Sequence, residues 1–521
     1  MEIAEIYSLF RRCGAVSTDS RTVKPGEMFI GLKGENFDGG DYASKAVANG
    51  ASYAVVNSSS KAASDASLAD SGKLIVVDDT LKLLQNLANL HRRTVKCDGI
   101  PVVVIGITGT NGKTTTKELL KAVLSLKFNV VATEGNFNNS IGVPLTLLRL
   151  KDGIPFAIVE MGASHPDDIN ELAAIAEPDF GLITNVGMGH IEGFGSFEGV
   201  VAAKEEMYAS IEERNLSRSS LPGKIFVNQD NPLLVEMASR HPGVEQILYG
   251  VKFQGAKILP FDSTDPFLSI QLASGREVRT HLIGAYNADN VMAAIKIGQF
   301  FGVSEIDAIN AIASYIPSNN RSQLMLTDRN VLIVDAYNAN PSSMEAALDN
   351  FLSMNAENKI VMLGEMRELG TASLSEHAKV LRRIASAMDS GVLEAAYFVG
   401  EEFKAAARLS APDSHHCDAQ DEVSEANNEF ALPSQCAFFA DVNALISAIS
   451  ASSLSGSSLP SSSSSESSLS ESSLPSSSSS ESSLSESSLP SSSSSESYIS
   501  GKTILIKGSH GNRMEKLIPY L

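Results

Sequence analysis

The chain has 521 residues, 43% hydrophobic and 20% charged, proportions that exclude wholesale disorder, a collagen-like repeat and a coiled-coil rod. At about 100–200 residues per domain, this length predicts three domains. Forty-one Lys and Arg against 61 Asp and Glu leave a net charge of −20, so the basic footprint of a nucleic-acid binder is missing and any phosphate site must be local.

The opening MEIAEIYSLFRRCG carries Glu2 and Glu5 where a secretory signal would carry positive charge and then an apolar run. No apolar stretch approaches the about 20 residues of a membrane span. Both observations predict a cytoplasmic protein. Cys13, Cys97, Cys417 and Cys436 lack paired spacing, which predicts reduced thiols and neither a disulfide framework nor a zinc site. Residues 1–97 form a small α/β unit with a turn-rich stretch, TDSRTVKPGEMFIGLKGENFDGGDY, near its start. From 98 to 318, the runs VVVIGI (102–107), AIVE (157–160), GLIT (181–184) and KIFVN (224–228) read as buried strands, each followed by a helix-like or Gly-rich segment. This is the grammar of a doubly wound, mostly parallel sheet.

A second series fills 319–521 and predicts a Rossmann-like domain: VLIVD (331–335), KIVML (359–363), AYFV (396–399), AFFA (437–440) and TILIK (503–507). Met344, Leu348 and Phe351 give its first crossover helix an apolar face. Twelve acids and no cation lie between Arg408 and Lys502, so the remainder of the chain carries only −8. Within that stretch LPSSSSSESSLSESS starts at Leu459, repeats from Leu474 and begins again at Leu489 before breaking off at Tyr498. A Ser-rich tract with isolated Leu cannot bury enough surface to offset its ordering entropy, so 451–497 is predicted to be a disordered insertion before the last strand. A partner-binding or modified acidic tail is the other reading.

The segment with the most chemistry is VVVIGITGTNGKTTTKELLKAVLSL, a buried strand, a Gly-rich turn and a helix whose Leu119, Leu120, Val123 and Leu124 face the core. Gly109 and Gly112 let backbone N–H groups close around phosphate oxygens at a helix N-terminus. Lys113 would neutralise the terminal phosphates, and Thr114 would place its hydroxyl on Mg²⁺. The spacing departs from the usual G-x-x-x-x-G-K-[ST], since Ile107 stands where the first glycine belongs. A chance Gly-Lys-Thr turn is the bland alternative; the flanking strand and helix argue against it.

TGTNGKTTTKE resembles the ATP loop of the Mur ligase family, which joins amino acids or peptides to nucleotide-linked muramic acid. GNFNNSIGVPLTLL from Gly135, DAYNANPSSM from Asp335, LGEMRELG from Leu363 and KGSHGNRME from Lys507 resemble, within that family, the members that add D-alanyl-D-alanine to UDP-N-acetylmuramoyl-tripeptide. The resemblance implies ATP-driven amide formation through an acyl phosphate in peptidoglycan precursor synthesis, two Mg²⁺ ions, a monomer, and no nucleic-acid or membrane partner. A nucleotide loop of Thr108, Gly109, Thr110, Asn111, Gly112, Lys113, Thr114 and Thr115 is implied, with Asn287 and Asn290 at adenine, Arg321 at the phosphates and Asp335 at ribose. Metal ligands would be Thr114, Glu160, His190 and Lys204, the lysine carbamylated by CO₂; with Lys113, the last three would be catalytic. Ser20 and Arg21 match a uridine-diphosphate cradle, Asn138 and Asn139 would meet the muramyl peptide, and Asn338, Lys507 and Ser509 the incoming dipeptide. Reactants from all three domains must meet, which implies closure about a hinge near Ile316 to Arg321.

Bland alternatives stand beside these. Glu160 is a solvated strand-end carboxylate, His190 an ordinary loop histidine, and Lys204 a surface lysine paired with Glu205 or Glu206. Arg321 is then a linker-surface residue and Asp335 a cap of the following turn. Tyr286 and His510 replace the histidine and arginine usual in the family. Whether the acceptor's third residue is diaminopimelate or lysine stays open. Rival activities are a sibling ligase adding one amino acid, a folylpolyglutamate-type ligase, a P-loop kinase and a non-catalytic scaffold.

Overall fold

The computed structural model describes residues 1–217, 222–260, 266–318, 321–409, 432–455 and 499–521. Cys417, residues 319 and 320 of the expected hinge, and 456–497 of the expected serine insertion lie outside the described residues. Two compact units make up the chain: Met1–Ser318 with Asn340–Asn350 and Glu368–Thr371, and Asn319–Ala339 with Phe351–Arg367 and Ala372–Leu521.

The first unit contains two parallel sheets. Near the N-terminus, strands Val16–Ser17, Met28–Ile30, Tyr53–Asn57 and Leu74–Val77 pair in chain order. The helix before them, Ile3–Cys13, starts on a capping box in which Glu2 and Glu5 satisfy each other's backbone N–H groups, and it ends on left-handed Gly14. The second sheet runs Glu245–Tyr249, Lys224–Asn228, Phe180–Ile183, Val103–Thr108, Phe156–Glu160, Val130–Ala132, all parallel. Strand Val103–Thr108 is buried almost throughout, as its continuous apolar run predicts. The strand order also reverses at this strand, and ligands of such sheets bind beyond the carboxyl ends at the reversal. An antiparallel meander of Lys257–Ile258, Phe267–Gln271 and Glu277–Ile283 has no counterpart in the sequence reading. Helix Ala288–Phe300 packs on the helix that follows the nucleotide loop, Lys113–Ser125.

The second unit carries one sheet, ordered Gln323–Leu326, Val331–Asp335, Thr503–Lys507, Lys359–Gly364, Ala395–Val399, Cys436–Phe439. The first strand is antiparallel and the others parallel. The last strand of the chain thus takes a central place, between the first and second parallel strands. Helix Val442–Ser455 extends five residues into the stretch expected to be disordered from 451. Val442, Leu445 and Ile449 bury one stripe of it and anchor the helix from which the backbone continues to Ser455. Among the described residues Cys13, Cys97 and Cys436 are free thiols, and no helix is long and apolar enough to cross a membrane.

Candidate active site

Glycines shape the turn after Val103–Thr108. Gly109 sits at φ 138°, and a Cβ there would collide with Thr184 Oγ1; Gly112, at φ 80°, leads into helix Lys113–Ser125, and a Cβ there would come to 2.6 Å from Asn290 Oδ1. Only glycine fits both the backbone and the space. The loop is braced from the neighbouring strand end: Asn185 Oδ1 accepts from Asn111 N (2.9 Å), Thr184 Oγ1 donates to Asn111 O (2.6 Å) and Thr110 N donates to Asn185 O (3.0 Å). Thr110 Oγ1 exchanges hydrogen bonds with the backbone of Gly187. Lys113 curls back, its Nζ donating to the carbonyls of Gly109 (2.6 Å) and Thr110 (3.0 Å). Its ammonium therefore stands inside the loop where phosphate oxygens would lie. Thr115 is half-buried, while Thr108 turns its hydroxyl inward to Met161 O (2.9 Å).

Glu160 closes its strand beside this loop with 1% of its surface exposed, so it is not a solvated strand-end carboxylate. Thr114 Oγ1 donates to Glu160 Oε2 (2.9 Å) and Asn138 Nδ2 to Oε1 (3.0 Å). Asn139 lies next in the chain but does other work, accepting from Ile141 N and Gly142 N at the start of helix Gly142–Leu147. His190 takes a left-handed backbone (φ 54°), and its Nδ1 faces the Glu368 carboxylate. Burial lowers its pKa and Glu368 raises it, while Lys113 and Lys204 push it down further. Lys204 is 2% exposed; its Nζ reaches Ala163 O at 3.5 Å and lies 5.1 Å from the centre of the Phe194 ring. Burial, reinforced by repulsion from Lys113, brings its pKa down to about 7. Neither neighbouring glutamate serves it as an ion pair: Glu205 binds Arg240 and His241, and Glu206 caps a helix. Lys113 and Lys204 both disfavour a charged His190, and Lys113 a charged Lys204, so an anion placed among these groups would favour their protonated forms.

Among the described residues, no three His, Cys, Asp or Glu side chains converge on a ready-made metal cage. The donor set nevertheless fits Mg²⁺, which is held by one or two carboxylates and substrate phosphates more often than by an all-protein cage. Thr114 and Glu160 already share an oxygen-lined contact next to the loop. Asn287 and Asn290, both buried, form a chain: Asn290 Nδ2 donates to Asn287 Oδ1, and Asn290 Oδ1 accepts from Thr116. They brace the loop helix. In the N-terminal sheet Ser20 is buried, its carbonyl accepting from Asn49, and Arg21 pairs with Asp19 at 2.7 Å.

The carboxyl edge of the second unit's sheet holds the remaining candidates. Buried Lys507 donates to Asp335 Oδ2 (2.6 Å) and Asn338 O (3.2 Å). Arg321 stacks over Tyr337 at 3.6 Å, and its Nε has no hydrogen-bond partner among the described residues. Asn338 accepts from Ala339 N, and buried Ser509 bridges Glu365 O and Arg367 N.

Sequence reasoning missed Lys117. It is fully buried, donating to Thr133 O (2.7 Å), with Glu118 at 2.9 Å and Glu160 Oε2 at 3.9 Å. Thr133 Oγ1 in turn accepts from Glu160 N (3.0 Å). A signal existed: Lys117 occupies the apolar stripe continued by Leu120 and Leu124.

The site is that of a phosphate-loop α/β enzyme with a metal-competent carboxylate beside its loop. Residues 13–92, 107–298 and 320–456 match, in turn, the Mur ligase family catalytic domain, the Mur ligase middle domain and the Mur ligase glutamate ligase domain. The chain is 34% identical over 377 residues to UDP-N-acetylmuramoyl-tripeptide--D-alanyl-D-alanine ligase of Bacillus subtilis, which covers 70% of this chain and 75% of that one. A solved structure of UDP-N-acetylmuramoylalanyl-D-glutamyl-2,6-diaminopimelate--D-alanyl-D-alanyl ligase from Acinetobacter baumannii superimposes with a TM-score of 0.68 at 25% identity, covering 97% of this chain and 92% of that one. The MurF ligase of Thermotoga maritima in complex with ADP shares the fold, with a TM-score of 0.69 at 21% identity over 98% and 97%. The chain belongs to the Mur ligase family and has its three-domain α/β fold. It is accordingly an ATP-dependent ligase that forms an amide bond.

Proposed function

We propose that this enzyme adds D-alanyl-D-alanine to UDP-N-acetylmuramoyl-tripeptide in peptidoglycan precursor synthesis, in the cytoplasm and as a monomer. The observation that carries the reading is the braced loop 108–114 with Thr114 and Glu160 hydrogen-bonded beside it at 2.9 Å; likeness to ligases of that name supplies the substrates. Labour divides among 1–97 for the uridine-diphosphate end, 98–318 for ATP and 319–521 for the dipeptide.

A carboxylate is a poor electrophile because oxide would have to leave. Attack of the tripeptide carboxylate on the γ-phosphorus of ATP expels ADP and forms an acyl phosphate; the dipeptide amine then attacks the carbonyl and phosphate leaves. Side chains have little covalent work, so positioning and charge carry the catalysis. Lys113 exchanges its two carbonyl partners for phosphate oxygens. Thr114 and Glu160 would hold a magnesium ion, which when bound neutralises charge on the β- and γ-phosphates. His190 would add a third ligand, and a second metal would use a carbamylated Lys204. That modification joins the neutral amine to the carbon of CO₂ with loss of a proton, and a buried amine with a pKa near 7 suits it. Arg321, with an unfilled donor, would reach the phosphates, and Asp335 the ribose. Asn287 and Asn290 would border adenine from their bracing positions. Ser20 and Arg21 would hold the diphosphate, Asn138 the muramyl peptide, and Asn338, Lys507 and Ser509 would line the dipeptide site.

The test is phosphate release by the purified enzyme with ATP, UDP-muramoyl-tripeptides and D-Ala-D-Ala, each omitted in turn. Release that requires both acceptor and dipeptide is expected. Release with a single amino acid in place of the dipeptide points to a sibling ligase, and release without any amine to a kinase or ATPase.

A further inference from the structure

Three consecutive residues of helix Phe197–Ser217 face three ways. Lys204 points to Ala163 O, Glu205 pairs with Arg240 and His241, and Glu206 reaches a neighbouring helix. That helix, Asp168–Ala176, starts badly on its own. Its N-cap residue, Asp167, sits at φ 67°, a left-handed conformation unusual for a non-glycine, and its side chain caps nothing. Glu206 supplies the missing cap from outside: Oε1 accepts from Asp167 N and Oε2 from Asn170 N, both at 2.9 Å. A carboxylate at a helix start also meets the positive end of the helix dipole.

The loop 161–167 thus held begins directly after Glu160. Asp168 folds it back by accepting from the N–H groups of Ser164 and His165, both at 2.8 Å. Ala163 offers its carbonyl to Lys204, and Gly193, three residues after His190, packs so closely on Ser164 that a Cβ would collide with its carbonyl oxygen. One loop therefore touches the elements that carry Glu160, His190 and Lys204.

We infer that Glu206 is a positioning residue for the ligation: by capping Asp168–Ala176 it locks this loop to the Lys204 helix and sets where the Lys204 amine stands relative to Glu160. The inference rests on the reading of Lys204 as a carbamylated ligand. Residues that orient ligands from behind typically change metal affinity or activity by about 10–100-fold when lost.

The experiment uses the full chain, with Glu206→Ala, Glu206→Gln and Lys204→Ala beside the wild type. Phosphate release is followed against bicarbonate and Mg²⁺ concentration. For Glu206→Ala, kcat should fall about 10–100-fold with the KM for ATP unchanged, the bicarbonate needed for half-maximal activity should rise, and excess bicarbonate should restore part of the rate. Glu206→Gln, which keeps the shape and one accepting oxygen, should fall between and remains informative if the alanine variant does not fold. A capping role in stability alone would leave the bicarbonate dependence where the wild type has it, and that result overturns the inference. Lys204→Ala separates the two readings: loss of turnover rescued by a short-chain carboxylic acid upholds the Lys204 ligand, whereas full turnover without rescue removes it and the inference with it.

Discussion

Replacing Lys117 by methionine tests how the loop helix and Glu160 depend on each other. Methionine keeps most of the volume and deletes the charge. Thr133 O, bonded at 2.7 Å, loses its partner, and an unsatisfied buried acceptor costs about 1–3 kcal/mol. The Glu118 side chain is 29% exposed and can turn to water, so its ion pair adds little. Glu160 has no such escape. Removing one partner of a buried pair costs about 3–5 kcal/mol, and the lower end applies at a separation of 3.9 Å with Thr114 and Asn138 still donating. The sum is about 4–6 kcal/mol, or a fall in Tm of about 8–12 °C at about 2 °C per kcal/mol for a large cooperative unit. Calorimetry with and without Mg·ATP reads both the loss and its cause. On the proposed reading a magnesium ion at Glu160 would restore the missing positive charge, so Mg·ATP should raise the Tm of Lys117→Met by more than that of the wild type. Equal ligand shifts in the two proteins, or a variant that melts within about 2 °C of the wild type, would refute the argument.

His377 predicts a pH dependence in the second unit. Its Nε2 accepts from Met366 N at 3.0 Å and its Nδ1 donates to Ser373 O at 2.7 Å, so the buried ring is neutral with its proton on Nδ1. Burial depresses its pKa below the usual 6.5. The unfolded chain takes up the proton that the folded one refuses, so the stabilisation is complete above about pH 6.5 and is lost as pH falls, by at most about 1.4 kcal/mol per unit. The Tm advantage of wild type over His377→Gln should shrink between pH 7.5 and 5.5; an advantage independent of pH contradicts the reasoning. Gly109→Ala should lower kcat/KM by about a hundred-fold or more, because both its φ of 138° and Thr184 Oγ1 exclude a Cβ; activity within tenfold of wild type would mean the loop re-forms around the methyl group.

How much of the molecule could be read beforehand follows from burial. VLIVD, KIVML and TILIK became strands at the expected residues because central parallel strands, covered on both faces, are written as continuous apolar runs. Glu277–Ile283 escaped notice because half-buried strands alternate: Val278, Thr280 and Leu282 face inward between exposed Glu277 and Arg279. Val130–Ala132 and Gln323–Leu326, short strands at sheet edges, carry too few residues for a pattern.

The nucleotide loop was legible because its glycines, lysine and threonine are contiguous, and their spacing along one strand–turn–helix is the chemistry. Residues far apart in the chain acquire their roles only on folding. Nothing near Lys507 in sequence announces Asp335 as its partner at 2.6 Å, and KEE on a helix reads as a solvated charge run until packing buries the lysine and sends its two glutamates to other elements. Local sequence determines which backbone shapes and functional groups are available; tertiary packing decides which charges are desolvated and which neighbour each one meets, because both depend on atoms that the chain brings together from hundreds of residues away.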